Sequence, residues 1–213
     1  MTLASGEVVT AHSTNTGSMT GCCEPGSAVY VSRADNPKRK LKYTWELIKV
    51  GRILVCINTL VPNRMTYQAI KAQEIAELTG YQDLFKEVTI ADSSPKSRID
   101  LMLADPKLGR CYVEIKNVTL AEDKVARFPD AVTTRGRKHL LELLRLKKQG
   151  HRAVIFFFVA RADCDVFAPA DEIDSEYGET LREVVSQGVE ALAYRVRARR
   201  DHLRFEQRLD VLL

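Results

Sequence analysis

No uncharged apolar run in this chain exceeds the eight residues from Ala153 to Ala160. A helical membrane span takes about 20 residues, so that run reads as a buried strand and no membrane partner is expected. Residues Met1 to Thr10 lack a basic segment followed by an apolar one, so no secretory leader is expected there. Cysteine is sparse: Cys22, Cys23, Cys56, Cys111 and Cys164 are odd in number and show no CxxC spacing. That argues against a zinc or disulfide framework and for reduced thiols in a cytoplasmic protein. Aromatic residues are only 7% of the chain, yet 45% of its 213 residues are hydrophobic, enough to offset chain entropy and exclude disorder. No internal repeat or low-complexity tract is visible. At about 100–150 residues per domain, the length suits two small domains.

Charge is what the chain has in an uneven distribution. The net charge of +4 is modest, but the cations are grouped. Lys38, Arg39, Lys40 and Lys42 fall within five positions without an acid. From Arg135 to Arg152, seven cations face Glu142 alone, and six arginines between Arg195 and Leu213 face three acids. The remainder of the chain is therefore acidic. One such cluster also fits a solvated face, but three beside an acidic remainder suggest a polyanion-binding surface, with phosphate contacts supplying affinity without sequence information.

Texture divides the chain near residue 61. In residues 1–61, strand-like stretches at Glu7 to Ala11, Ala28 to Ser32 and Gly51 to Asn58 alternate with Gly-, Ser- and Pro-containing turns, which favours a small β-barrel. In residues 62–213, Asn63 is placed to cap a helix running to about Leu78, stopped by Gly80. Strands follow at Lys86 to Ile90, Arg98 to Leu103 and Cys111 to Val118. A leucine-rich helix from about Asp130 to Gln149, the apolar strand, a short helix near Glu179 to Ser186 and two further strands complete an α/β sheet that begins with a meander.

Two carboxylates interrupt that meander. Alternation puts Glu114 and Lys116 on one face of their strand and Val113 and Ile115 on the other. Asp105-Pro106 and Gly109 make a turn, and a hairpin symmetric about Lys107 sets Asp100 opposite Glu114. Cross-strand Cβ atoms are about 4.5–5.5 Å apart, so the two carboxylates can grip one hard cation, Mg²⁺ or Mn²⁺. Such an ion polarises a phosphodiester and helps to generate hydroxide, and Lys116 would orient the water or neutralise developing charge. Glu-x-Lys alone is a weak signal among 15 glutamates. A second example, Glu122-Asp123-Lys124, falls in a polar stretch read as strandless. An ion pair on a solvated sheet face is the plainer reading of Asp100, Glu114 and Lys116.

Arg135, Lys138, His139 and Glu142 share one helix face and can hold a phosphate backbone beside the hairpin, or merely face solvent. Glu77 or Glu74 can add a ligand from the preceding helix. Tyr43 and Trp45, beside the first basic run, can stack bases or pack into a core.

Several segments together resemble a known family. They include Asn15-Thr16-Gly17-Ser18-Met19, Asn36-Pro37-Lys38-Arg39-Lys40 with Thr44-Trp45-Glu46-Leu47, and Ser97-Arg98-Ile99-Asp100. Tyr112-Val113-Glu114-Ile115-Lys116-Asn117-Val118-Thr119-Leu120, Phe128-Pro129-Asp130-Ala131-Val132-Thr133, Lys138-His139-Leu140 and Gly188-Val189-Glu190-Ala191-Leu192-Ala193-Tyr194 extend the match over nearly the whole chain. The pattern resembles the sugar fermentation stimulation protein A family. The resemblance implies an OB-like barrel, here short of its first basic strand, followed by a restriction-endonuclease-like α/β domain with a mixed sheet. It implies non-specific DNA binding and a regulatory role in maltose and other sugar catabolism. Metal ligands would be Asp100 and Glu114 with Lys116 beside them, and Glu77 matches the family's helix glutamate better than Glu74. The chain departs from the family pattern at Ser13-Thr14, Thr134 and Arg137.

Two readings follow: a DNA-binding protein with an Mg²⁺- or Mn²⁺-dependent phosphodiesterase centre at Asp100, Glu114 and Lys116, or a non-catalytic DNA-binding regulator on a nuclease scaffold. In both, Lys38, Arg39, Lys40, Lys42, Arg135, Arg137 and Lys138 contact DNA, and a homodimer is compatible with either. A third reading sets the basic patches against an acidic protein partner.

Overall fold

Short β-rich stretches punctuated by turns become the first sheet. A computed structural model describes residues 1–90 and 97–213. Strands β1 (Ala11–His12), β2 (Val29–Arg33), β3 (Tyr43–Val50) and β4 (Ile53–Cys56) form a sheet in which β3 pairs with each of the others. Among the described residues no pairing of β1, β2 and β4 with one another closes it into a ring. The alternating run Thr44-Trp45-Glu46-Leu47-Ile48 is a strand that the adjacent basic segment masks in the sequence. Trp45 packs against a small core of Met19, Cys22, Ile48, Val55 and Ile57, with its indole N–H donated to Leu47 O at 3.0 Å.

Helix α1 (Val61–Lys71) comes next, with Pro62 in its first turn. This corrects the helix expected from Asn63 to Leu78. Asn63 lies inside the first turn, Gln73 adopts a left-handed φ of 60°, and the chain resumes as a separate 3-10 turn at Ala76–Leu78. The meander is β5 (Asp83–Ile90), β6 (Ser97–Asp105) and β7 (Gly109–Val118). A hairpin, β8 (Leu120–Glu122) and β9 (Val125–Phe128), turns on Asp123 and Lys124, both at positive φ. The Glu122-Asp123-Lys124 stretch is therefore a hairpin and not strandless; without Gly or Asn it lacks the usual sequence mark of such a turn. Helix α2 (Thr134–Lys148) precedes β10 (Arg152–Val159) and β11 (Val166–Pro169), and helix α3 (Ser175–Ser186) precedes β12 (Glu190–Ala198) and β13 (Leu203–Val211).

Among the described residues nine strands form one mixed sheet in the order β5-β6-β7-β10-β12-β13-β11-β9-β8. β7, β10 and β12 run parallel at its centre. Such strands are covered on both faces, and β10 shows it. Ala153, Ile155, Phe157 and Val159 pack with Leu140 and Leu143 of α2 and Leu181 of α3. Val154, Phe156 and Phe158 pack with Ile70 of α1 and with Leu47 and Cys56 of the first sheet. The two sheets therefore share a core, joined also by Cys56 N–H to Ala160 O at 3.0 Å and Met19 N–H to the Asp130 carboxylate at 3.0 Å.

Helix α2 starts at Thr134 and not near Asp130 as expected, because Thr133 caps it by accepting the Gly136 N–H at 3.0 Å. Gly136 is wedged there: a Cβ would lie 2.7 Å from the Thr133 methyl and 3.2 Å from the Tyr177 ring. Helix propensity favours Ala over Gly by about 1 kcal/mol, but the cap must move to admit the methyl. Gly136→Ala is expected to destabilise by about 1–2 kcal/mol, read as a lower Tm; a rise in Tm would refute the wedge.

Candidate functional site

The 113–116 alternation places Val113 and Ile115 in the core shared with the first sheet and turns Glu114 and Lys116 toward α2. The β6–β7 register runs from Asp105–Gly109 to Leu101–Val113, so Asp100 comes next, opposite Glu114. There β6 leaves the ladder: the Asp100 carboxylate accepts the Ile115 N–H at 2.8 Å, and its other oxygen accepts from the Asn63 amide at 2.7 Å. Strand β5 changes course at the same level. Leu84, Leu101 and Leu103 belong to one core, whereas Val88, Ile90 and Ile99 belong to the other, and Glu87 between them has φ 52°.

Glu114 is 2% exposed. Its Oε1 accepts from Lys116 Nζ at 2.7 Å and contacts His139 Nδ1. Arg135 Nε donates to His139 Nε2 at 3.4 Å, on the side of the ring away from Glu114. Lys116 and His139 thus meet one oxygen; Oε2 is buried without a partner. Burial alone would raise the Glu114 carboxyl, but hydrogen bonding from His139 and the Lys116 charge outweigh it and hold it below the ordinary value. Asp100 is pushed up to about 6, by burial first and then by the Glu114 charge. A cleft of about 240 Å³ opens over these groups, lined by Asn63, Glu87, Arg98, Asp100, Glu114 and Lys116 together with Arg135 and His139.

Glu77 is corrected. Its oxygens accept from Tyr194 OH at 2.5 Å and Arg208 at 2.9 Å, and it lines a different groove. Because α1 ends at Lys71, the 3-10 turn carries Glu77 toward β12 and β13. Glu74 likewise does not line the cleft. Of the cations, Arg135 reaches the cleft, Lys138 is exposed on α2, and Arg137 pairs with Glu176. Lys38, Lys40 and Lys42 are exposed and Arg39 half-buried on the β2–β3 loop, outside the cleft. The sequence reading missed Asn63 as a carboxylate partner and Glu87 and Arg98 as lining residues. All five cysteines are free, and no helix among the described residues is long and apolar enough to cross a membrane.

Two family models match: the N-terminal OB domain of SfsA over residues 2–57, and the sugar fermentation stimulation protein RE domain over residues 60–202. A sugar fermentation stimulation protein homolog of Geobacter sulfurreducens is 52% identical over 99% of this chain and 88% of its own length. The chain belongs to the sugar fermentation stimulation protein family. The Synechocystis homolog is 44% identical over 95% of this chain and 85% of its own. Pyrococcus furiosus SfsA, solved in complex with Ca²⁺, superposes with a TM-score of 0.89 at 26% identity, over 98% of this chain and 88% of that one. The family architecture is accordingly an OB domain followed by a restriction-endonuclease-like α/β domain with a mixed sheet.

In this family member the crowding of Asp100 has a measurable cost. A carboxyl that binds its proton more tightly when folded contributes stability below its unfolded value of 3.8 and loses it as pH rises through about 6. Between pH 4 and 7, metal-free wild type should therefore lose about 2–3 kcal/mol relative to Asp100→Asn. Thermal unfolding of both proteins in chelator reads this directly, and parallel curves would refute it.

Proposed function

We propose that this protein binds DNA without sequence preference and hydrolyses phosphodiesters at the Asp100–Glu114–Lys116 cleft with Mg²⁺ or Mn²⁺. The observation carrying this reading is the orphaned Glu114 Oε2, buried beside the Asp100 carboxylate and under a rim of Arg98 and Arg135. A buried carboxylate oxygen without a partner is a cost that a cation removes. The donors are all oxygen, the set a hard divalent ion takes, and the Ca²⁺ complex of the Pyrococcus furiosus relative is in keeping with that choice. Among the described residues no cluster of three His, Cys, Asp or Glu side chains stands ready as a cage. The fit is therefore to an ion held by two carboxylates that keeps much of its water, as Mg²⁺ does.

When bound, that ion would polarise the phosphodiester and lower the pKa of a water. The chain's own residues do the rest. Asp100 and Glu114 hold the ion, with Asp100 fixed by Asn63 and the Ile115 N–H. Lys116 orients the water and offsets charge developing on the phosphoryl oxygens. His139 fixes the Glu114 carboxylate, and Arg135 and Arg98 hold the scissile phosphate. Away from the cleft, Lys38, Lys40, Lys42 and Lys138 hold the flanking backbone. The Arg200 guanidinium stacks 5.7 Å from the Tyr30 ring, linking the third basic cluster to the OB domain. Acting on DNA is also a route by which a protein named for sugar fermentation can affect it.

Incubated with supercoiled and single-stranded DNA plus Mg²⁺ or Mn²⁺, wild type should cleave, and Asp100→Ala and Lys116→Ala should lose about 10²-fold or more in rate. Cleavage untouched by either substitution removes the catalytic assignment. Absent cleavage with retained binding leaves the regulator reading. Binding should weaken with salt at a log–log slope steeper than about −3; a flat dependence refutes the phosphate contacts.

A further inference from the structure

Asp100 has an acid on each side. The β5–β6 register pairs Lys86 with Leu101 and Val88 with Ile99, so Glu87 falls across from Asp100 just as Glu114 does on β7. Three carboxylates thus form a row across three adjacent antiparallel strands, and all three line the cleft. Glu87 alone is engaged by a cation from the rim: Arg98 Nε lies 2.7 Å from Glu87 Oε2. That pair is loosely held, its side chains 62% and 50% accessible. Such exposed pairs contribute little and exchange readily.

The backbone adds a second contrast. Glu87 sits mid-strand at φ 52°, where a side chain is strained and glycine is not. An ion pair worth little does not offset that cost, and a glycine would serve the strand better. What the position gains is a carboxylate at the mouth of a cleft whose floor holds the orphaned Glu114 oxygen.

We infer that Glu87 is a third carboxylate of the cation centre, for which the cation and Arg98 compete, with the balance tipped further to the cation when an anion takes the guanidinium. This rests on the metal-dependent reading above and extends it. A phosphate arriving at Arg98 breaks the ion pair, and the freed Glu87 carboxylate turns to the cation beside Asp100. Substrate binding and tight cation binding are thereby coupled.

Mn²⁺ alone is the probe, with free Mn²⁺ read by electron paramagnetic resonance in titrations of the full chain. Glu87→Gln should weaken binding about tenfold or more. Glu87→Asp, which keeps the charge but shortens the reach, should show the same loss. Arg98→Gln should tighten binding several-fold, and only where Glu87 is present; in the double variant the gain should vanish. Glu87→Gly should raise Tm by a few degrees while weakening Mn²⁺ binding, which separates ligand loss from misfolding. If Glu87→Asp binds as wild type does, or if Arg98→Gln tightens binding equally without Glu87, charge alone is at work and the inference is overturned. If Mn²⁺ binds wild type and Glu87→Gln alike, this inference fails and the two-carboxylate site stands. If wild type binds no Mn²⁺, the metal-dependent reading fails and takes this inference with it.

Discussion

A carboxylate taken out of water in the middle of a sheet is the constraint around which the second domain is arranged. Desolvating one ion costs several kcal/mol unless close, well-aimed partners offset it. Glu114 has two, Lys116 from its own strand and His139 from α2, and both serve a single oxygen. For His139 to reach, α2 must approach the sheet closely. Thr133 ends the preceding loop as a cap, Gly136 leaves no side chain between that cap and the Tyr177 ring of α3, and Leu140 and Leu143 lock α2 onto the apolar face of β10. On the other side β6 gives up ladder pairing so that the Asp100 carboxylate can take the Ile115 N–H. The three successive phenylalanines of β10, buried on alternating faces, supply the apolar mass that tolerates this polar insertion.

The part of the site built from local regularities was readable in the residues. Strand alternation separates Glu114 and Lys116 from Val113 and Ile115, and the Asp105-Pro106 to Gly109 turn fixes a register in which Asp100 meets Glu114. What hid from the sequence was departure from regularity. Gln73 turns left-handed in a segment with good helical periodicity, so α1 stops early and Glu77 is delivered to Tyr194 and Arg208 instead of the cleft. Glu87 was invisible as a site residue because the sequence alone does not set the β5–β6 register. Nothing in its own identity announces a positive φ. The β8–β9 hairpin turns on Asp-Lys, and its second position holds a lysine, with little intrinsic preference for that conformation, where glycine is usual. The whole-chain family likeness captured the architecture where local reasoning gave only a barrel followed by an α/β sheet.

Two signs of charge are layered in the cleft, and the layering discriminates among functions. A surface shaped only to hold polyanions gains nothing from acids beneath its cations, since carboxylates there repel phosphate. A site shaped only to hold a divalent ion gains nothing from a guanidinium rim, which repels the ion. Here an acidic floor of Asp100 and Glu114 lies under Arg98 and Arg135 in one cleft. The free protein bears the cost three times over: an unpartnered oxygen on Glu114, a carboxyl on Asp100 that resists ionisation, and a strained backbone at Glu87. On the proposed reading a cation would relieve the first two directly, and a phosphate brought in by the rim would be the counter-charge to that cation. Under the function proposed above, these opposed charges would be satisfied together by a cation and a phosphate, the pairing a metal-assisted phosphodiester reaction requires and a binding surface alone does not.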